Sequence, residues 1–217
     1  MLGIPASEMT PKVQQAIMTL VREVETLRQE LARTHARLAE MERLADEDTL
    51  AQIPNRRAFV RELSRMISFT ERYGGTSSLI YFDVNGLKDI NDRFGHGAGD
   101  ALLMHVARIL TENVRESDVV ARLGGDEFGV LLAQATEDKA HPKAASLAKA
   151  LEESDFAWDG HTIQVHAAYG IYSFEGGVDV KTALAAADRA MYEQKRGMKK
   201  RTVNGAPAAG SATRSKS

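Results

Sequence analysis

The sequence predicts an α/β protein in which a mixed or antiparallel sheet is surrounded by helices and preceded by one long coiled-coil helix. Three observations predict this class: an N-terminal heptad repeat, helical and strand-like segments that alternate after it, and two apolar runs separated by four turn-type residues. Apolar runs so close together are typical of a β-hairpin, which places antiparallel strands in the sheet. With 43% hydrophobic and 27% charged residues, the composition is that of an ordinary globular protein.

The long helix is predicted by apolar residues that recur with 4-3 spacing between Val13 and Ala45. The a positions hold Ile17, Val24, Leu31, Leu38 and Ala45, and the d positions hold Val13, Leu20, Leu27, Thr34 and Met41. β-Branched residues at a with Leu at d favour a parallel two-stranded coiled coil, and Glu23 would face Arg28 across that dimer. The alternative is an amphipathic helix that packs against its own domain.

The elements after the coiled coil follow from apolar periodicity and from Gly and Pro positions. Pro54 separates the long helix from the next one, because proline cannot continue a helix interior. The predicted helices are Arg56–Tyr73, 100–113, about Pro142 to Glu153, and Val180 to about Lys195. The predicted strands are Ser78–Val84, the hairpin strands Asp118–Leu123 and Phe128–Leu132, and two strands near Thr162–Ala167 and Gly170–Phe174. Small and polar residues dominate 204–217, which we predict to be a disordered tail.

Composition and charge exclude several classes of function. The 28 basic and 30 acidic residues give a net charge of -2, which argues against a nucleic-acid-binding protein. No run approaches the roughly 20 apolar residues that span a bilayer, and the N-terminus has no secretory signal. We therefore expect a cytoplasmic protein without a membrane segment. The absence of cysteine excludes disulfides, iron–sulfur clusters and thiol catalysis.

Three carboxylates are predicted to meet at one edge of the sheet. Asp83 ends the most apolar strand, while Asp126 and Glu127 occupy the hairpin turn. Carboxylates so close repel one another unless a cation lies between them. Hard oxygen ligands suit Mg²⁺ or Mn²⁺, and paired ions of this kind serve phosphoryl transfer. The alternative is that Asp126 and Glu127 are ordinary solvated turn residues.

The connection from Asp83 to Asp100 contains four glycines and is predicted to approach a phosphorylated ligand. Glycine permits close backbone approach, and N–H groups that follow a strand can bind phosphate. Lys88 would add a positive charge, and Asn91 and Asp100 offer hydrogen-bonding groups for a guanine edge. A glycine-rich turn is weak evidence by itself, and Asp100 as a plain helix N-cap is the alternative.

The chain resembles the GGDEF family, the diguanylate cyclases, through the pentapeptide Gly124-Gly-Asp-Glu-Phe128. Two further stretches extend the resemblance, Asp48-Thr-Leu-Ala-Gln-Ile-Pro-Asn-Arg-Arg57 and Ala187-Asp-Arg-Ala-Met-Tyr-Glu-Gln-Lys195. It covers residues 46–203, which we assign as the GGDEF domain after a dimerising coiled coil of residues 1–45. The resemblance implies the family's five-stranded sheet surrounded by helices, akin to nucleotidyl-cyclase and polymerase palm domains.

The resemblance also implies an activity and its residues. A homodimer would condense two GTP into cyclic di-GMP and release two pyrophosphates, with two Mg²⁺ or Mn²⁺ ions per active site. The implied catalytic and metal-binding residues are Asp83, Asp126 and Glu127, assisted by the Val84 carbonyl, and Asp126 would help to deprotonate the 3′-hydroxyl. The implied substrate contacts are Asn85, Gly86, Leu87, Lys88, Asn91, Asp100, Lys195 and Lys199.

The resemblance also implies a second site, at Arg115-Glu-Ser-Asp118. Five residues lie between Asp118 and Gly124. At that offset it resembles the family's inhibitory site, where cyclic di-GMP limits its own synthesis. The alternative is an R-x-x-D that arises by chance at the exposed end of a helix. The chain departs from the family at Ala51-Gln52, usually Thr-Gly, and at Met198-Lys199-Lys200, usually Gly-Arg-Asn. These departures lower the expected affinity for GTP but not the reaction class.

Two other functions compete with the cyclase. The chain could be a binding protein that senses cyclic di-GMP through Arg115 and Asp118 without turnover, although the intact signature argues against this. It could also be a coiled-coil scaffold, but that role would not explain the predicted metal and phosphate residues.

Overall fold

The computed structural model describes residues 10–204 and divides the chain into two compact units, with the boundary between Ala45 and Asp46. The described part of the first unit is formed by helix α1 (Pro11–Asp46), whose last residue, Asp46, belongs to the second unit. Its heptad side chains Leu20, Val24, Leu27, Leu31 and Leu38 are between 46% and 60% exposed. The extent of α1 confirms the long N-terminal helix that the heptad repeat predicts. Residues 205–217, most of the predicted disordered tail, lie outside the described part of the chain.

The second unit is built from helices and strands that alternate along the chain. In order they are α2 (Arg56–Tyr73), β1 (Ser77–Val84), α3 (Leu87–Phe94), α4 (His96–Glu112), β2 (Val119–Gly124), β3 (Glu127–Leu132), α5 (Glu137–Glu152), β4 (Phe156–Trp158), β5 (His161–Ile163), β6 (Ala167–Phe174) and α6 (Val180–Asn204). No helix within residues 10–204 combines the length and the apolarity needed to cross a membrane.

Four strands form an antiparallel sheet in the order β2-β3-β1-β6. The α/β class, with an antiparallel sheet flanked by helices, is confirmed. The implied five-stranded sheet is wrong for the described residues, because the segment expected as a strand near 162–167 forms β5 and pairs with β4 in a separate hairpin. One isolated bridge, between Asn55 and Arg122, is parallel.

The largest difference from the prediction lies between Asp83 and Asp100. The glycine-rich connection contains the whole of α3 and the start of α4, and the two helices are separated by Gly95 at φ 83°. Asp100 is consequently the fifth residue of α4 rather than its N-cap. Arg115 and Asp118 lie in the turn between α4 and β2.

The helices cover both faces of the sheet. Strand β1 alternates between them, so that Ile80 and Phe82 pack with α4 and α5 while Leu79 and Tyr81 pack with α2 and α6. Because β1 is buried on both faces, it reads in the sequence as a continuous apolar run. Gly170 lets α6 approach β6, since a Cβ there would lie 2.1 Å from the Ala187 carbonyl oxygen.

Candidate active site

The end of β1 and the β2–β3 turn bring the predicted acidic residues to one edge of the sheet. Asp83 is the register partner of Glu127, and the Val84 N–H donates to the Asp126 carbonyl oxygen at 2.9 Å. Among the described residues, however, no three imidazole or carboxylate side chains lie close enough to hold one metal ion. The structure thus pairs Asp83 with Glu127 and places Asp126 beside them in the turn.

The ammonium group of Lys195 forms an ion pair with the Asp83 carboxylate. The side chains of Lys195 and Asp83 are only 25% and 13% exposed, which limits screening of the pair by water. Like charges directly opposite on antiparallel strands destabilise a sheet, so the paired Asp83 and Glu127 favour a cation at this position. Lys195 therefore contacts a carboxylate here, although the resemblance implied a phosphate contact.

A cleft of about 460 Å³ opens between this sheet edge and α6. Its lining consists of Asp83, Glu127, Asp188, Met191, Tyr192, Lys195 and Arg196. Asp188, Tyr192 and Arg196 are not among the site residues predicted from the sequence. The sequence feature that could have indicated them is their spacing, because successive residues of the three are four positions apart. This spacing places all three on one face of α6 together with Lys195. The helix containing Lys199 is described, but its side chain lies outside the described residues.

Near the sheet edge, the hydroxyl of Tyr81 interacts with both Glu127 and Arg56. Burial raises the pKa of Tyr81 above its ordinary value, and the hydrogen bond with Glu127 and the charge of that residue raise it further. Arg56 opposes this shift and also donates to the Leu123 carbonyl oxygen at 3.4 Å. Tyr81 consequently stays protonated and acts as a donor toward the Glu127 carboxylate.

In the segment predicted to bind phosphate, one backbone N–H group already donates a hydrogen bond within the protein. The Asn85 N–H donates to the His166 carbonyl oxygen at 2.8 Å, so it is not free to bind phosphate in this arrangement. Gly86 has φ 76° in the left-handed region and immediately precedes α3, which begins with Leu87 and the exposed Lys88. Glycine adopts this conformation without strain.

The predicted guanine contacts lie on neighbouring helices. The buried Oδ1 atom of Asn91 has no hydrogen-bond partner among the described residues. It lies against Gly99, where a Cβ would come within 2.0 Å of it, and the exposed Asp100 follows. A buried acceptor without a donor costs free energy, so the Asn91 oxygen fits a ligand that donates a hydrogen bond.

A second cavity, of about 330 Å³, contains the R-x-x-D pair. The Asp118 carboxylate accepts hydrogen bonds from the N–H groups of Arg115 at 3.0 Å and of Ala133 at 3.2 Å. Asp118 thus also fixes the turn before β2 to the segment after β3. Lys139 and Lys143 of α5 line the same cavity as Arg115, so three cationic side chains accompany the carboxylates of Asp118 and Asp138 there.

Asp48 connects the segment that precedes α2 to the turn between β2 and β3. Its Oδ1 accepts from the Ala51 N–H at 2.7 Å and from Arg122 at 3.2 Å, and Arg122 also donates to the Gly125 carbonyl oxygen at 2.8 Å. Burial acts to raise the pKa of Asp48, but the hydrogen bonds from Ala51 and Arg122 outweigh it and hold the pKa below its ordinary value.

Comparison with known proteins identifies the family. The family model described as "Diguanylate cyclase, GGDEF domain" matches residues 45–201. Diguanylate cyclase DgcP of Pseudomonas aeruginosa is 31% identical over 88% of this chain, and diguanylate cyclase TpbB of the same species is 36% identical over 82%. The chain belongs to the GGDEF family. It spans only 28% of the length of DgcP and 40% of that of TpbB.

The fold is shared with a solved structure that contains both a coiled coil and a GGDEF domain. This is DgcB from Caulobacter crescentus, described in complex with c-di-GMP, which aligns with a TM-score of 0.74 at 24% sequence identity. The alignment covers 82% of this chain and 95% of that one. It establishes a common fold.

Proposed function

We propose that this chain is a diguanylate cyclase that condenses two GTP into cyclic di-GMP and releases two pyrophosphates. The observation that carries the proposal is the cleft in which Asp83, Glu127 and Lys195 come together at the intact GGDEF turn. Membership of the family and the names of the relatives support the same reaction.

The donor set fits a hard divalent cation, because two facing carboxylates favour a positive charge between them. Asp83, Asp126, Glu127 and the Val84 carbonyl would hold Mg²⁺ or Mn²⁺, two ions per site. Such ions, when bound, lower the pKa of an attacking hydroxyl and stabilise charge on the phosphate. Tyr81 keeps the Glu127 carboxylate in place by donating a hydrogen bond to it.

The chain's own polar groups would orient the nucleotide. Asp100 accepts from the guanine N–H donors, and Asn91 supplies its buried oxygen to the same base. The phosphate contacts are the backbone of 85–87 and the ammonium groups of Lys88, Lys195 and Lys199. Lys195 exchanges the Asp83 carboxylate for phosphate oxygens when substrate binds, and Asp126 accepts the proton of the 3′-hydroxyl.

The reaction joins two nucleotides, so two subunits must face each other. We propose that α1 pairs with α1 of a second copy as a parallel coiled coil. The exposed heptad side chains of α1 support this, because a seam of Leu and Val is stable only when a partner helix covers it.

Product inhibition is the finer part of the proposal. The cavity that contains Arg115 would bind cyclic di-GMP, with the guanidinium contacting guanine or phosphate. Lys139 and Lys143 add positive charge on another side of that cavity.

Product analysis with GTP and Mg²⁺ tests the proposal, using protein shown to be dimeric and free of bound cyclic di-GMP. We expect product from the wild type and from Asp155→Ala, an exposed carboxylate outside both cavities, but none from Asp126→Ala. Product should reach a plateau that Arg115→Ala removes. No product from the wild type would refute the cyclase, and binding of cyclic di-GMP would then favour a sensor.

A further inference from the structure

We propose that Arg196 binds the β- and γ-phosphates of the nucleotide and that Tyr192 positions its guanidinium group. The inference rests on the proposed function, because it names a further substrate contact in the same cleft. It adds a recognition element that neither the signature nor the glycine-rich connection contains.

Arg196 lines the same cleft as Asp83 and Glu127, next to Lys195 on α6. Its guanidinium carbon lies 6.0 Å from the centre of the Tyr192 ring, one helical turn earlier. Among the side chains that the structure describes, no carboxylate forms an ion pair with Arg196. The ring therefore holds the cation by a cation–π contact that leaves its charge available to an anion.

Lys195 and Arg196 differ in whether a carboxylate already holds them. Lys195 is engaged by the Asp83 carboxylate, so it must leave a partner before it can bind phosphate. Arg196 has no such carboxylate partner among the described side chains. Its planar guanidinium group also offers paired N–H donors that match two phosphate oxygens at once, which an ammonium group cannot do.

The layers of the fold indicate which part of the nucleotide Arg196 meets. Helix α4, with the proposed guanine contact Asp100, packs on one face of the sheet, and α6 packs on the other. The acidic edge of β1 and β3 lies at the end of the sheet that both layers share. A nucleotide with its base at Asp100 and its α-phosphate at Asp83 would continue toward the face that α6 covers, which is where we place its terminal phosphates.

The exposure of Tyr192 supports a positioning role. This side chain is 59% exposed although it lines the cleft, which is an uncommon position for a large ring that serves only packing. Its neighbour on the helix, Met191, is 4% exposed and supplies the packing against the sheet. The Tyr192 ring is thus available to contact the guanidinium group of Arg196 at the opening of the cleft.

Titration calorimetry with Mg²⁺ tests the proposal on the full chain, using two ligands. The first is a GTP analogue with a methylene group between the α- and β-phosphorus atoms, which cannot react, and the second is GMP. We expect Arg196→Ala to weaken the analogue about tenfold or more, the effect of losing a hydrogen bond between charged groups, and to leave GMP unchanged. Tyr192→Leu should weaken the analogue less, and Tyr192→Phe should bind as the wild type does.

Arg189→Ala is the matched control, because Arg189 is an exposed arginine of the same helix outside the cleft lining. Unchanged analogue binding by Arg196→Ala would overturn the inference, as would an equal loss of GMP binding. Product formation by the wild type is measured in parallel. A wild type that makes product while Arg196→Ala binds normally refutes only this inference, whereas a wild type without product refutes the cyclase itself.

Discussion

Gly99 determines where the Asn91 amide can lie, because its side chain is a single hydrogen atom. A Cβ on Gly99 would be 2.0 Å from Asn91 Oδ1 and 3.2 Å from Leu87 Cδ1, the first of which is an impossible contact. The sequence predicts Asn91 as a guanine contact and Gly99 as one of four glycines that let the backbone approach a ligand closely. The structure gives this glycine a different role, which is to leave room for a side chain from the neighbouring helix.

We therefore predict that Gly99→Ala displaces the Asn91 amide and raises the KM for GTP about tenfold, the usual effect of one lost hydrogen bond in a binding site. Steady-state kinetics with GTP measure this. Gly97→Ala is the control, because its Cβ would meet only the Trp158 ring at an ordinary 3.8 Å. An unchanged KM in Gly99→Ala would show that Asn91 does not contact the base.

A second residue-scale prediction concerns Gln52, which has φ 52° in the left-handed region. This is the position where the resemblance expects Gly, and a non-glycine residue pays roughly 1 kcal/mol for that conformation. We expect Gln52→Gly to raise the midpoint of thermal unfolding by about 2 °C, since 1 kcal/mol corresponds to about 2–4 °C in a chain of this size and the more flexible unfolded chain offsets part of the gain. Gln52→Ala, which keeps the strain, should give no increase.

At the scale of elements, the sequence predicts segments whose apolar period is bounded by Gly or Pro. Helix α2, strand β1 and the β2–β3 hairpin are of this kind. The division between α3 and α4 was missed, because four glycines suggest a loop and only tertiary packing keeps the residues around Gly95 helical. Helix α5 begins at Glu137 although it contains Pro142, because buried Ala140, Ala144 and Leu147 hold it against the core.

The residues that line the cleft could likewise be predicted only in part from the sequence. The acids at the ends of β1 and β3 follow from strand register, which an apolar run and a short turn define. The cleft residues of α6 do not follow, because a helix pattern shows which side chains share a face but not which sheet edge that face meets. The contact of α6 with β6, allowed by Gly170, fixes this.

We predict that Gly170→Ala forces α6 away from β6, because the new Cβ would lie 2.1 Å from both the Ala187 oxygen and the Met191 nitrogen. Overpacking of this kind costs about 1–3 kcal/mol, which urea unfolding measures, and the shift of Lys195 should lower kcat. Gly197→Ala on the same helix meets no atom within 4 Å and should not destabilise the protein. An active and fully stable Gly170→Ala would contradict this account of the α6 position.

The contact between Asp48 and Arg122 predicts an acid dependence of stability. The folded pKa of Asp48 is lowered, so its contribution is fully present above its unfolded pKa of about 3.9 and is lost as the pH falls through the folded value. We expect Asp48→Asn to unfold at lower urea than the wild type between pH 5 and 8, and the difference to shrink below pH 4. A difference that stays constant down to pH 2.5 would rule out this contribution.

At the scale of the whole molecule, the proposed coiled coil and the proposed reaction depend on each other. Two domains held by a short connection experience an effective concentration near the millimolar range. We predict that a chain starting at residue 46 loses most of its activity at nanomolar protein and regains it as concentration rises. Equal activity per subunit for the truncated and full chains at nanomolar concentration would show that α1 does not assemble the active dimer.

The sheet order also has a consequence for how the protein folds. The central strand β1 pairs with β6, so that Leu79 must find Tyr172, a partner far along the chain. Contacts of long sequence separation slow folding, because the connecting loop must be ordered before the pairing contributes. Of the elements of this domain, β6 and α6 are synthesised last, so the nascent domain must wait with β1 unpaired on one side. The cleft next to α6 is therefore the last part of the domain to form during synthesis, and unfinished chains carry an exposed strand edge that is prone to aggregation.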